Sequence, residues 1–233
     1  MPSFDIVKKV EPEITFRVSS IIGAFDLDLE HVDEHFKGNI EIENKDWNVG
    51  LIVGGSGTGK STIAKEVFGD NYIKEYKYSA KSVIDDMPKE KSIKDIQMAF
   101  TSVGFASPPS WLKPYEVLSN GEKMRVDLAR SILEEKEIIV FDEFTSVVNR
   151  EVAKTSSYAI SKAVKKNNKK FVAIACHKDI IDWLEPDWIY DTDEKRFFIR
   201  GESSTAPNSN LKYTGLTTQL KDKYGRYLES TII

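Results

Sequence analysis

The sequence predicts an α/β fold, a largely parallel sheet covered by helices. Three observations predict it. The runs Gly50–Val53, Glu137–Phe141 and Phe171–Cys176 are almost continuously apolar, which suits central strands buried on both faces. Stretches of helical period separate them, so strands and helices alternate from Val49 to about Phe198. The first run leads directly into a glycine-rich loop and then a helix. Composition bounds the rest. A chain of 233 residues, 40% hydrophobic and 30% charged, is long enough for one domain with a real core. A net charge of -4 argues against holding nucleic acid by overall charge, although a local basic face stays open. One cysteine, Cys176, excludes an internal disulfide and suits a reducing compartment. No apolar stretch approaches a membrane span, and the start MPSFDIVKK lacks the apolar core of a signal peptide. A soluble, cytoplasmic protein is expected.

Taken in order, the first 48 residues read as a broken, strand-like edge: Ile14–Val18 alternate, Ile40–Ile42 do so briefly, and Asp28–His35 between them is charged. Residues 54–61, GGSGTGKS, fit G-x-x-x-x-G-K-[ST]. Gly54, Gly55, Ser56, Gly57, Thr58, Gly59, Lys60 and Ser61, with Thr62 opening the helix to Phe68, form a candidate phosphate cradle. Glycines let backbone N–H groups wrap phosphate oxygens, and the helix adds the positive end of its dipole. Lys60 can reach the β- and γ-phosphates, and Ser61 can ligate Mg²⁺. This pattern implies a bound nucleoside triphosphate. Further on, Ile93, Ile96, Phe100 and Val103 give Ser92–Val103 one apolar helical face, with Gln97 on the other side.

The strand Glu137–Phe141 ends in Asp142-Glu143. Beside a phosphate loop, such an acidic pair can hold Mg²⁺ (Asp142) and orient the attacking water (Glu143). Alone, an acid ending a buried strand is also an ordinary structural feature. Before it stands Leu118-Ser119-Asn120-Gly121-Glu122, followed by a helical run from Arg125 to Leu133. Ser119 reads either as a plain N-cap or as part of a helix N-terminus that faces phosphate.

At these residues the chain resembles the ATP-binding cassette (ABC) ATPases, whose signature is LSGGQ. Leu118, Ser119 and Gly121 match, and Asn120 and Glu122 depart. Thr145–Asn149 stand where that family has its D-loop, and His177, after the third apolar run, stands where it has a switch histidine. The resemblance covers roughly residues 10–198. It implies an ABC-type core sheet within a domain of residues 1–200, a short helical signature subdomain at about 85–135 and an N-terminal antiparallel β edge. It also implies ATP and Mg²⁺ as cofactors, with Glu143 and His177 catalytic. An ATP-dependent homodimer follows from it, Ser119, Asn120, Gly121 and Glu122 of one subunit facing ATP on Lys60 of the other.

Two family features lack an obvious residue. No glutamine occupies Lys81–Asp86, so Asp85 (or Asp86) is the candidate substitute near the metal, against the alternative of a solvated turn. The aromatic that stacks on adenine would be Phe25, with Phe36 and Phe16 as the other candidates. The stretch 61–118 is short for a transporter subunit, and no heptad run is present. A soluble ATPase driving a switch on a protein or nucleic-acid partner is therefore expected. The alternative is the nucleotide-binding subunit of a membrane transporter. His31 and His35 lack further metal ligands nearby, the lysines of 162–170 read as a solvated helix end, and Trp47, Trp111, Trp183 and Trp188 read as packing residues. Residues 201–233 are expected to be a polar linker (201–210) and then an amphipathic helix with Leu216, Leu220, Tyr224, Tyr227 and Leu228 on one face.

Overall fold

The computed structural model describes residues 3–9, 13–27, 34–73 and 75–200, together with a strand at 227–229. At the N-terminus, β1 (Ser3–Lys8) and β2 (Glu34–Asn39) pair antiparallel around α1 (Phe16–Phe25). Then come β3 (Val49–Val53), α2 (Lys60–Phe68), β4 (Tyr72–Ile73), α3 (Ile93–Ser102), α4 (Pro108–Trp111) and α5 (Asn120–Leu133). The chain continues through β5 (Ile138–Phe141), α6 (Arg150–Lys166), β6 (Lys170–Ala175), α7 (Ile181–Leu184), β7 (Trp188–Asp191), β8 (Arg196–Arg200) and β9 (Tyr227–Glu229). The central sheet has the order β4-β5-β6-β3-β7-β8-β9, parallel from β4 to β7 and antiparallel thereafter.

The period of two along each strand splits the core into two layers. Val49, Leu51 and Val53 of β3, with Phe171 and Ala173 of β6 and Ile139 of β5, face the helical side, where they meet Leu128, Ile160 and Leu184. Ile52, Val172 and Val140 point the other way, onto Ile63 and Phe68 of α2 and Phe4 of β1. The strand Val49–Val53 is buried throughout, as its continuous apolar run requires. Gly50 is needed there because a Cβ would run into the Trp188 ring. Such burial is worth roughly 1.5–3 kcal/mol per large side chain, which makes this sheet a stiff platform for whatever its carboxyl ends carry.

Several expectations need correction. Ile14–Val18 are not a strand: Thr15 caps α1, its side chain accepting from Val18 N–H, and the helix buries none of its residues. With no buried face to select a period, a short alternation carries no information. The antiparallel edge exists, but β1 and β2 make it, and Ile40–Ile42 lie just outside. Tyr227 and Leu228 belong to a strand paired with β8, not to an amphipathic helix; residues 201–226 and 230–233 lie outside the described residues, as does His31. The capping box Ser92/Asp95 starts α3 where its apolar face begins. Trp47, Trp111 and Trp188 are buried, as packing residues should be. Trp183 packs partly buried beneath the Arg150 guanidinium.

Candidate functional site

The loop after β3 borders a cleft of about 230 Å³ lined by Ser56, Gly57, Gly59, Lys60, Ser61, Thr62, Glu143 and Cys176, with Lys8 and Glu34 on its rim. Gly57 and Gly59 adopt φ of 79° and 83°, the left-handed region that lets the loop curl back over the start of α2. Lys60 is only 7% exposed, and its Nζ donates to the Gly55 carbonyl at 2.5 Å. A buried ammonium with one carbonyl partner is poised to take an anion.

The acidic pair follows directly on β5. Ser61 Oγ donates to Asp142 Oδ1 at 3.1 Å, so two hard oxygen donors stand side by side at the mouth of the loop. That is the donor chemistry magnesium takes, and the residues fit such an ion. Glu143 is exposed on the cleft wall with φ of 51°, and Thr145 has φ of 67°. Left-handed backbone at such residues costs about 1–2 kcal/mol each. The strain is held by Phe144, which is fully buried and donates its N–H to the Ile174 carbonyl at 2.8 Å. His177 stands exposed at the end of β6, next to Cys176 of the cleft.

Sequence reasoning missed Tyr72. Its hydroxyl donates to Asp142 Oδ2, and burial together with that carboxylate raises its ionisation above the usual phenol range. It also missed the group that braces the loop from behind. Asp193 accepts from Gly55 N–H at 2.8 Å, which, ahead of its contacts with Lys178, holds its carboxyl below the ordinary range. Thr192 and Thr58 share a hydroxyl hydrogen bond of 2.6 Å, and Lys178 bridges Asp191 and Asp193 at 2.8 and 3.0 Å. Lys178 directly follows His177, so one network ties the histidine's strand end to the phosphate loop. The available signal was an apolar strand ending in acids, Trp188–Asp193, the same cue that marks Asp142.

Three named candidates are not brought to the cleft. Asp85 accepts from Ser82 Oγ at 2.5 Å within its own turn, and Asp86 accepts from the Ser79 and Ala80 N–H groups. Phe25 is 69% exposed on α1 and is not among the cleft residues. The aromatic at the loop is Phe36, whose ring lies where a Cβ on Gly59 would be. Ser119 caps α5 in a capping box: Glu122 N–H donates to its Oγ at 3.4 Å, and Ser119 N–H donates to Glu122 Oε2 at 3.0 Å. Asn149 likewise caps α6, accepting from Val152 N–H at 2.9 Å. Asn120 Nδ2 reaches the Val147 carbonyl at 3.5 Å, joining the signature segment to the D-loop position.

A profile of the ATPase family associated with various cellular activities (AAA) matches residues 50–198. The ribosome protection protein VmlR of Bacillus subtilis is 24% identical over 166 residues, covering 59% of this chain and 30% of its own length. The chain thus spans less than a third of that relative. Among solved structures, the dimeric bacterial ABC transporter cassette MJ0796 is similar with a TM-score of 0.52 and 14% identity, over 68% of this chain and 87% of that one. The cassette cbiO1 of Clostridium perfringens, part of the transporter complex cbiONQ, gives a TM-score of 0.52 and 20% identity, over 68% and 76%. At such identities these structures speak for the fold.

Proposed function

Since the chain belongs to the ATPase family associated with various cellular activities (AAA) and has the ABC cassette fold, it is an ATP-binding ATPase, and we propose that Gly54–Thr62 cradles the triphosphate while Glu143 serves the attacking water. The observation that carries this reading is the meeting of Ser61 and Asp142 at 3.1 Å beside a buried Lys60, with Glu143 on the same cleft wall. Lys60 would leave the Gly55 carbonyl for the β- and γ-phosphates, exchanging a neutral partner for a charged one. Ser61 and Asp142 would hold Mg²⁺, which when bound supplies positive charge to the phosphoryl oxygens. Glu143 accepts a proton from water or orients it, and its exposure leaves room for that water. His177 contacts the γ-phosphate side, and Phe36 rather than Phe25 flanks the nucleotide.

The active unit is a head-to-tail dimer around two ATP, in which Ser119 to Glu122 of each subunit face the other's phosphates. Support comes from the dimeric cassette among the similar structures and from the exposed start of α5. The cycle drives a switch on a protein or nucleic-acid partner. The support for it is that the curated relative is a ribosome protection protein. The second reading, a transporter's nucleotide-binding subunit, draws on the transporter cassettes among the similar structures. A membrane protein copurifying with the chain would favour it.

The test is Glu143→Gln, which keeps shape but removes charge and basicity. Turnover should fall by about 10²–10⁴-fold while ATP binding persists. Gel filtration with ATP and Mg²⁺ should then show a dimer that ADP does not support. Parental turnover would remove Glu143 from the catalytic role.

A further inference from the structure

We propose that Tyr72 is a positioning residue for the divalent metal of this site, its hydroxyl holding Oδ2 of Asp142 so that Oδ1 stays turned toward Ser61. The placement follows from the sheet. β4 is a two-residue edge strand, and its parallel register sets Tyr72 beside Val140 and Ile73 beside Phe141, the residue before Asp142. The phenol thereby reaches one oxygen of the carboxylate, close to the Ser61 hydroxyl that takes the other.

A strand of two residues would be a weak support on its own, but its continuation is anchored. Tyr78 stacks on Tyr115 with ring centroids 3.9 Å apart and donates to Asp127 Oδ1 at 2.6 Å. Arg130 lies over the rings of Tyr76 and Tyr78, at 4.7 and 5.0 Å, and donates to the Lys77 carbonyl at 2.9 Å. Lys65 of α2 lies 5.0 Å over the Tyr72 ring itself. Tyr76 and Tyr78 are thus pinned to α5, and Tyr72 is packed by α2. A tyrosine offers few rotatable bonds, so its hydroxyl orients Asp142 at small entropic cost. Asp142 Oδ1 also accepts from the Glu143 N–H at 2.9 Å, so the phenol fixes the remaining oxygen, which the ion would otherwise have to order. The residues expected to take such a place, Asp85 and Asp86, are occupied within their own turn.

This inference rests on Asp142 being the metal carboxylate, and the test separates the two. Mn²⁺ serves as the probe, its free concentration read by electron paramagnetic resonance on the full chain with saturating ADP. Nucleotide affinity is measured separately in EDTA with a fluorescent ADP. Tyr72→Phe keeps the ring and should weaken Mn²⁺ binding by about 10-fold or more, with metal-free nucleotide affinity within about twofold of the parent. Tyr78→Phe loses a hydroxyl on Asp127 but none on Asp142, and should leave Mn²⁺ binding as in the parent. Tyr72→Phe binding Mn²⁺ like the parent overturns the proposal. So does an equal loss of metal-free nucleotide affinity, which would point to packing. If Asp142→Asn also binds Mn²⁺ like the parent, the metal reading of Asp142 falls first. If Asp142→Asn is impaired and Tyr72→Phe is not, only the role of Tyr72 falls.

Discussion

Asp127→Asn should remove a specific part of the pH dependence of stability. Asp127 lies on α5, mostly withdrawn from water, and accepts from the Tyr78 and Tyr115 hydroxyls at 2.6 and 2.9 Å. Burial nonetheless dominates and pushes its carboxyl from 3.8 to about 6, the two phenols and Arg130 only partly opposing it. The folded chain therefore binds this proton more tightly than the unfolded chain does. A raised folded value gives a contribution that is complete below pH 3.8 and is lost as pH climbs through about 6. Just over two pH units at about 1.4 kcal/mol each make roughly 3 kcal/mol, which residual solvent screening trims to about 2–3. Urea unfolding of both chains in steps from pH 4 to pH 8 reads it. The stability of Asp127→Asn relative to the parent should rise by that amount across the range, whatever the offset at pH 4. The other carboxylates titrate in both chains and cancel in the difference. A difference constant to within about 0.5 kcal/mol would refute burial as the governing effect at this residue.

Lys60→Ala should remove up to about 4 kcal/mol of interaction with the phosphates, taking an effective dielectric near 20 at ~4 Å, or ~10³-fold in affinity. Calorimetry showing near-parental ATP affinity would sink the cradle, provided the unfolding curve is unchanged. Ser119→Arg should leave ATP binding by the monomer intact and abolish ATP-dependent dimerisation and turnover. If only about 1 kcal/mol of stability is lost and full turnover remains, Ser119 is an N-cap and nothing more.

What was legible in the sequence was whatever one local stretch decides. The strand, glycine-rich loop and helix from Val49 to Phe68 were readable because they are contiguous. β3, β5 and β6 were readable because burial on both faces demands unbroken apolar runs. Illegible were features that depend on register between distant segments. Tyr72 matters only because a two-residue strand pairs with β5, and two residues carry no period. Phe36 and Phe25 are equivalent in sequence terms; only the pairing of β1 with β2 carries Phe36 to Gly59 while α1 leaves Phe25 in water. Asp193 braces Gly55 from 138 residues away, through the β3–β7 pairing. Its strand-end signal was present but unread, because no neighbouring motif singled it out.

The departure of Glu122 from the signature pattern has a physical consequence for pairing through Ser119. Its carboxylate collects the Ser119 N–H at 3.0 Å, the Ser119 hydroxyl at 2.8 Å and the Ser110 hydroxyl at 2.8 Å. The Ser119 N–H, then the hydroxyls, hold it below the ordinary carboxylate range, so it stays charged at neutral pH. The N-terminal end of the α5 dipole therefore already has an internal anion. A phosphate arriving from another subunit must compete with that anion for the Ser119 hydroxyl proton. It also meets a like charge one helical turn away. Breaking a hydrogen bond to a charged group costs about 1.5–3 kcal/mol, a cost that the uncharged glutamine of the family pattern would lessen. Closure around ATP should thus be weaker in this chain than with an uncharged residue at 122, and an additional contact, such as a bound partner, would strengthen it. That suits a switch more than a permanently paired engine.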